Sequence, residues 1–180
     1  QPAVADATIS AKALTITGLS AADKVYDGTA AATLHTNGYI LHTVLGTEVV
    51  TLDTNSNTST FASKDKGLHV VTVSGLALAG ADAGNYTLTQ PAVADATISA
   101  KALTITGLSA ADKAYDGAAA ATLHTNGYVL HTVLGTEVVM LDTNGNTSTF
   151  ASKNIGTHGV TVSGLALAGA DAGNYTLTQP

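Results

Sequence analysis

The feature that most constrains this chain is an internal repeat of 89 residues. Residues 1–18 return unchanged as residues 90–107, and a third copy begins with Gln179 and Pro180. The two full copies differ at only nine positions, which in the first copy are 25, 29, 40, 51, 56, 65, 66, 68 and 70. A unit of this length is longer than a solenoid repeat of about 20–45 residues, so each copy should fold around its own core. Duplication adds reach to a spacer, whereas an enzyme needs only one site. We expect the chain to be part of a longer array.

Composition argues against several classes of function. The chain has no Cys and no Arg, and seven Lys face thirteen acidic residues, for a net charge of −6. Nucleic-acid binding needs a basic footprint, so we expect no nucleic-acid partner. No apolar run approaches the roughly 20 residues of a membrane span, so we expect no membrane insertion. A disulfide scaffold is excluded because there is no Cys.

The local patterns predict an all-β fold. Thr is abundant, and Leu14 and Ile16 alternate with Thr15 and Thr17 as expected for a half-buried strand. Each copy offers six to eight short strand-like segments separated by Gly, Asn and Asp. These features predict tandem β-sandwich domains of the immunoglobulin-like kind in an end-to-end array, with a β-grasp-like sheet as the alternative.

The strongest local signal is Asn37-Gly38, which lies between two strand-like segments and predicts a two-residue β-hairpin. The predicted pairs are 36–39, 35–40, 34–41 and 33–42, which would turn Leu34 and Leu41 toward the core. Together with the other apolar strand positions, they make up the predicted core of the first copy: Leu14, Ile16, Leu34, Leu41, Phe61, Val71 and Val73.

The junction between the copies contains no flexible linker. Residues 92–107 consist almost entirely of strand-like sequence and contain no Gly/Ser-rich stretch. We therefore expect the last strand of one copy to run almost directly into the first strand of the next. Such a junction should be stiffer than a coil linker.

Several segments resemble the YDG domain, a repeat module of large bacterial surface proteins of the filamentous-haemagglutinin type. They include residues 12–17, the signature at 24–28, and the segments 61–64, 71–76 and 80–88, with second-copy matches at 113–117 and 174–177. The resemblance implies secretion, a location at the cell surface or in the extracellular matrix, and an adhesive or spacing role. It does not imply a catalytic site. It also implies a domain frame: residues 1–11 close a preceding repeat, 12–100 form the first domain, and 101–180 form the second, without its closing strand.

The signature tripeptides of the two copies are predicted to be structural, with each Tyr packing its ring and each Asp-Gly forming a turn. They are Tyr26, Asp27 and Gly28 in the first copy and Tyr115, Asp116 and Gly117 in the second.

Other candidate sites are less specific. His35 and His42 would share one face of the predicted hairpin and are weak candidates for a metal site. Asp82 and Asn85 are weak candidates for calcium, because the repeat lacks the dense Asp ladder of a dedicated calcium loop. We expect no metal and no cofactor.

Two sequons in polar segments are candidates for glycosylation, at Asn57 and at Asn146. No nucleophile elbow or phosphate loop is present, and the expectation is that the chain is not an enzyme.

The leading hypothesis is a structural repeat of a secreted adhesin or extracellular fibre, which acts as a stiff stalk or a filament-building module. The alternative is a repeat that itself binds host or matrix glycan, or another cell, through avidity. Expected partners are neighbouring repeats of the same protein, including head-to-tail self-assembly by strand donation. Residues 1–11 would then supply the strand that the second domain lacks.

Overall fold

The computed structural model describes residues 5–93 and 95–180, which contain short strands and two turns of 3-10 helix (Ala83–Asn85 and Ala172–Asn174). The predicted all-β fold is confirmed. The described residues pack as two compact units, one of residues 5–24, 29–93 and 95–98, the other of residues 25–28 and 99–180. No helix among the described residues is long and apolar enough to cross a membrane.

The strands of the first repeat are β1 (Lys12–Thr17), β2 (Ser20–Ala21), β3 (Lys24–Val25), β4 (Leu34–His35), β5 (Ile40–His42), β6 (Thr51–Asp53), β7 (Thr58–Phe61), β8 (Gly67–His69), β9 (Val71–Ser74), β10 (Ala77–Ala79), β11 (Tyr86–Leu88) and β12 (Ala96–Ser99). The strands that follow are β13 (Lys101–Thr106), β14 (Ser109–Ala110), β15 (Leu123–His124), β16 (Val129–His131), β17 (Met140–Asp142), β18 (Thr147–Phe150), β19 (Val160–Ser163), β20 (Ala166–Ala168) and β21 (Tyr175–Leu177).

Strand β1 is the centre of the first sheet. Its first half pairs in parallel with β11, and its second half pairs antiparallel with β5. After Gly18, the same run of chain continues as β2 and pairs antiparallel with β4. Alternation along β1 buries Leu14 and Ile16 and exposes the Thr residues between them. The second repeat has the same arrangement, with β13 between β21 and β16.

The predicted hairpin is wrong, although its turn is present. The Tyr39 N–H donates to the Thr36 carbonyl at 3.5 Å across Asn37-Gly38, but β4 and β5 pair with β2 and β1 and not with each other. Residues 34–42 therefore form one extended run in which the turn is a bulge. The bulge lies against Gly18, where a Cβ would approach the Gly38 carbonyl oxygen to 2.4 Å. The Asn-Gly sequence specifies the turn, but it does not specify which strands pair with the segments on either side of the turn.

A second bulged pair has the same construction. Strand β7 pairs antiparallel with β9, and β6 pairs antiparallel with β10. The turn between β6 and β7 is closed by the Asn57 N–H donating to the Thr54 carbonyl at 3.2 Å. It lies against Gly75, where a Cβ would come within 2.3 Å of the Ser56 carbonyl oxygen. Each repeat thus contains two long antiparallel pairings. In each pairing, one side is interrupted by a turn that forms a bulge and packs against a glycine.

A third sheet has the order β3-β12-β8, so that β12 lies between two strands of the first repeat. Ala96 pairs with His69 and Ile98 with Gly67, and the side chains of Ala96 and Ile98 are buried. In the second repeat, the counterparts of β3 and β8 are residues 113–114 and 156–158. In the described part of the chain, these residues form no strand.

The core of the first repeat contains five of the seven predicted core residues: Leu14, Ile16, Phe61, Val71 and Val73 are all buried. Leu34 and Leu41 are half-buried, because they lie on short strands at sheet edges and not on the hairpin that was predicted. The remaining buried apolar residues of this repeat are Tyr26, Leu76, Tyr86, Ala96 and Ile98. In the second repeat, Leu103, Ile105, Leu165 and Tyr175 are buried.

Candidate functional site

The signature tripeptide Tyr26-Asp27-Gly28 packs within the second unit, which comprises residues 25–28 and 99–180. It leaves β3 in extended form, and the Tyr26 N–H donates to the Ser99 carbonyl at 2.8 Å. This hydrogen bond continues the pairing of β3 with β12 by one residue. The tripeptide is thus placed by the strand before it and by the pairing of that strand with β12.

Within the second unit, Tyr26 is almost fully buried, at 1% exposure. Its hydroxyl donates to Glu137 Oε1 at 2.5 Å, and its ring meets the Tyr175 ring edge to face, with centroids 5.5 Å apart. The Tyr175 hydroxyl donates to the other carboxylate oxygen, Glu137 Oε2, at 2.5 Å. One carboxylate therefore accepts hydrogen bonds from two phenols, and the edge of one ring packs against the face of the other.

The Tyr175 hydroxyl has a second partner, because it accepts a hydrogen bond from the Leu134 N–H at 3.0 Å. Burial, and after it the hydrogen bond to Glu137, raises the pKa of Tyr175 to about 12. The phenol is therefore neutral at ordinary pH and acts as a donor to the carboxylate. We call Leu134, Glu137 and Tyr175 the tyrosine socket of the second unit, since together they receive Tyr26.

The first unit has an equivalent socket built from Leu45, Glu48 and Tyr86. The Tyr86 hydroxyl donates to Glu48 Oε2 and accepts from the Leu45 N–H at 3.0 Å. The hydrogen bond to Glu48 raises the pKa of Tyr86. Beside this pair lies an open cleft of about 260 Å³, whose lining includes residues 9–12 as well as the socket. The two units thus share one arrangement, and the cleft is open at the first.

The second tripeptide lies in a different environment from the first. Tyr115 is 63% exposed, against 1% for Tyr26. Lys113 forms an ion pair with Asp116 at 2.9 Å, which holds the pKa of that carboxyl below its usual range. Between residues 112–118 and 150–158 lies a cleft of about 270 Å³, and Ile155 at its edge is 89% exposed. This cleft, the strand slot, lies between the segments that correspond to β3 and β8.

Burial differs between the repeats around this slot. Phe61, Val71 and Val73 are buried, whereas their copies Phe150, Val160 and Val162 are only half-buried. The six residues are identical in type, so the difference comes from their surroundings. In the first repeat β12 supplies two buried side chains, Ala96 and Ile98, next to β3 and β8.

The structure gives His35 and His42 separate neighbours. His42 Nε2 is hydrogen-bonded to Thr17 Oγ1 at 2.8 Å, and His35 pairs with Ser20 across β2 and β4. The hairpin face that was expected to bring both rings together is not formed. Across residues 5–93 and 95–180, no group of three or more His, Cys, Asp or Glu side chains lies close enough to hold a metal ion.

The proposed calcium candidates have structural contacts. Asp82 Oδ2 accepts a hydrogen bond from the Val49 N–H at 2.8 Å and so ties the 3-10 turn to the chain before β6. Asn85 ends that turn, and its N–H donates to the Asp82 carbonyl at 3.1 Å.

The two sequon asparagines are half-buried and lie immediately before β7 and β18. Asn57 Nδ2 donates to Ser59 Oγ at 3.3 Å, and Asn146 Nδ2 donates to Ser148 Oγ at 3.1 Å. In each case the acceptor is the serine of the same sequon. Both side chains therefore already have partners within the fold.

Sequence reasoning missed the glutamates. Each repeat contains a single Glu, at 48 and at 137, within an apolar run. That isolation was the available signal, because a lone carboxylate among apolar residues needs a donor. The donor is a tyrosine 38 residues further along the chain, in the strand that pairs in parallel with β1 in the first repeat and with β13 in the second.

A family model of the YDG domain matches residues 10–94 and again residues 99–180. The two matched segments cover nearly the whole chain and follow the internal repeat. No curated protein and no solved structure matches the chain.

Proposed function

This chain belongs to the YDG-domain family through both of its repeats, and from that premise we propose that it is a structural repeat of a secreted bacterial adhesin or extracellular fibre. In this role each copy is a non-enzymatic building module of a stiff stalk or filament outside the cell. The family match supports a repeated domain, and the finer role is our inference from the junction and from the use of the charged side chains.

The observation that carries the proposal is the junction. Strand β12 ends at Ser99 and β13 begins at Lys101, so that one residue separates them. Strand β12 belongs to a sheet with β3 and β8, and β13 is the central strand of the next sheet. A connection of one residue between two paired strands has little of the freedom of a coil linker. Such a short connection suits a module of a stiff array.

The acidic side chains also favour a structural role. Glu48 and Glu137 accept hydrogen bonds from tyrosine hydroxyls. Asp23 accepts from the Thr97 N–H at 2.6 Å, and Asp53 from the Asn55 N–H at 2.9 Å. These carboxylates hold strands and turns in place through hydrogen bonds, as expected of charged side chains in a structural module.

The experiment compares two assays on the same purified chain. Small-angle scattering measures its maximum dimension, and a glycan array with a cell-binding assay measures adhesion. The proposal expects an elongated particle and no saturable binding. Saturable glycan or cell binding by the isolated chain would overturn it and favour a repeat that adheres by itself.

A further inference from the structure

We propose that the chain modifies itself at three exposed Asn-Gly sequences, where the asparagine side chain converts to a carboxylate without an enzyme. The three sites are Asn37-Gly38, Asn126-Gly127 and Asn144-Gly145. Both residues of each site are exposed to solvent. Each conversion adds one negative charge to a chain whose net charge is −6, and it can alter the backbone at a closely packed turn. The inference does not depend on the proposed structural role.

The reaction needs only water. The backbone nitrogen of the glycine attacks the asparagine Cγ and loses its proton, and the new N–Cγ bond forms as ammonia leaves with that proton. Water then opens the resulting five-membered imide at one of its two carbonyls. Opening at the side-chain carbonyl gives aspartate, whereas opening at the main-chain carbonyl gives isoaspartate, in which the chain runs through Cγ. Glycine favours the attack, because it has no Cβ to hinder the approach of its nitrogen.

The chain contains its own comparison for the residue that follows the asparagine. The turn between β17 and β18 holds Asn144-Gly145, and the turn between β6 and β7 holds Asn55-Ser56 at the equivalent place. In both turns the asparagine N–H donates to the aspartate two residues earlier at 2.9 Å. Both turns are closed by a backbone hydrogen bond, of 3.2 Å at Asn57 and 3.1 Å at Asn146. The same backbone therefore presents an asparagine before serine in one copy and before glycine in the other.

The glycines of all three sites pack where the fold has no spare space. The carbonyl oxygen of each one lies against a second glycine, on which a Cβ would clash with it. These contacts join Gly38 to Gly18, Gly127 to Gly107, and Gly145 to Gly164. Isoaspartate lengthens the backbone by one methylene just before that carbonyl, so the bulge should no longer fit against its glycine. Aspartate keeps the length of the backbone and should disturb the contact less.

Peptide mass spectrometry of the folded chain during storage in mildly alkaline buffer tests the proposal. The fraction of each asparagine that has become an acid is followed over time, and fragmentation separates aspartate from isoaspartate. Asn37, Asn126 and Asn144 should convert. Asn55 should convert at least about tenfold more slowly than Asn144, which corresponds to about 1.4 kcal/mol in activation free energy.

Two reciprocal variants isolate the effect of the following residue. Gly145→Ser gives the second turn the sequence of the first, and a Cβ there would lie at an ordinary 3.7 Å from the Gly164 carbonyl oxygen, so the variant should fold. It should slow conversion at Asn144 to the rate of Asn55. Ser56→Gly makes the opposite change and should raise the rate at Asn55 to that of Asn144. Equal rates at Asn55 and Asn144 in the intact chain, or no conversion at the three sites, would overturn the proposal.

Thermal unfolding measures the structural consequence. A chain stored until isoaspartate has accumulated should melt at a lower temperature than a fresh sample. The control is a freshly prepared variant with Asn37→Asp, Asn126→Asp and Asn144→Asp, which carries the added charges on a backbone of normal length. It should melt close to the fresh intact chain. A stored chain that contains isoaspartate and melts like the fresh sample would refute the loss of packing at the bulges.

Discussion

Phe61 and Phe150 provide the sharpest test of how burial determines the contribution of one side chain to the stability of each repeat. They occupy equivalent positions in β7 and β18, and each ring has a lysine ammonium nearby, at 5.5 Å and 5.8 Å from its centroid. They differ in burial, because Phe61 is 2% exposed and Phe150 is half-buried. The same substitution at both positions therefore changes the same chemistry in two environments.

The expected losses follow from burial. Removal of a fully buried Phe costs about 3–5 kcal/mol through lost transfer energy and the cavity left behind, which sets the expectation for Phe61→Ala. Phe150 is less completely buried and has space for its neighbours to relax, so Phe150→Ala should cost less, about 2–3 kcal/mol. A small domain has only about 5–10 kcal/mol of stability in all, so both losses are measurable.

The assay is urea unfolding followed by far-UV circular dichroism, with the intact chain and both variants fitted to two transitions. Phe61→Ala should lower the free energy of unfolding of the first repeat by about 1 kcal/mol more than Phe150→Ala removes from the second. Equal losses, or a loss below about 1 kcal/mol at Phe61, would refute the reasoning from burial.

Three further predictions concern single positions. Gly18→Ala should destabilise the chain by more than about 2 kcal/mol in a melting experiment, because its φ is +81° and a Cβ would clash with a carbonyl oxygen. Gly38→Ala, which has a φ of +87° but open space around the Cβ position, should cost about 1 kcal/mol. Similar losses for the two variants would contradict the packing of the bulge against Gly18. Tyr26→Phe should destabilise the second unit by about 1–3 kcal/mol because a buried carboxylate hydrogen bond is lost, while Tyr115→Phe should change little in dilute solution; urea unfolding of both variants decides. The pKa of Tyr175 is raised to about 12, so its contribution to stability is complete below pH 10 and is lost as the pH rises from 10 through 12; a stability in urea that stays flat over that range would contradict the socket.

The sequence predicted local features better than it predicted partners. Alternation around Leu14 and Ile16 predicted a strand, and β1 lies there. Asn37-Gly38 predicted a turn, which is present. The flanking strands β4 and β5 pair with β2 and β1, on either side of Gly18, and no local pattern indicates these partners. Local sequence determines the conformation of a few residues, whereas strand pairing depends on which distant segments bury the most surface.

The tyrosine socket could not be predicted because its parts are far apart in sequence. Glu137 and Tyr175 are 38 residues apart, and Tyr26 precedes Glu137 by 111. The different exposures of Tyr26 and Tyr115 were equally hidden, since the two tripeptides are identical. Two identical segments differ here only through what packs against them, which is a tertiary property.

The central claim is that each copy adds fixed length to a stiff array, and small-angle scattering on chains with two and with three copies tests it most directly. Both chains are measured over a range of concentrations and extrapolated to zero concentration, so that association does not contribute. The account predicts that the third copy increases the maximum dimension by roughly 30 Å or more, which is about the diameter of a compact unit of this size. An unchanged maximum dimension, or the broad distance distribution of freely rotating units, would contradict it.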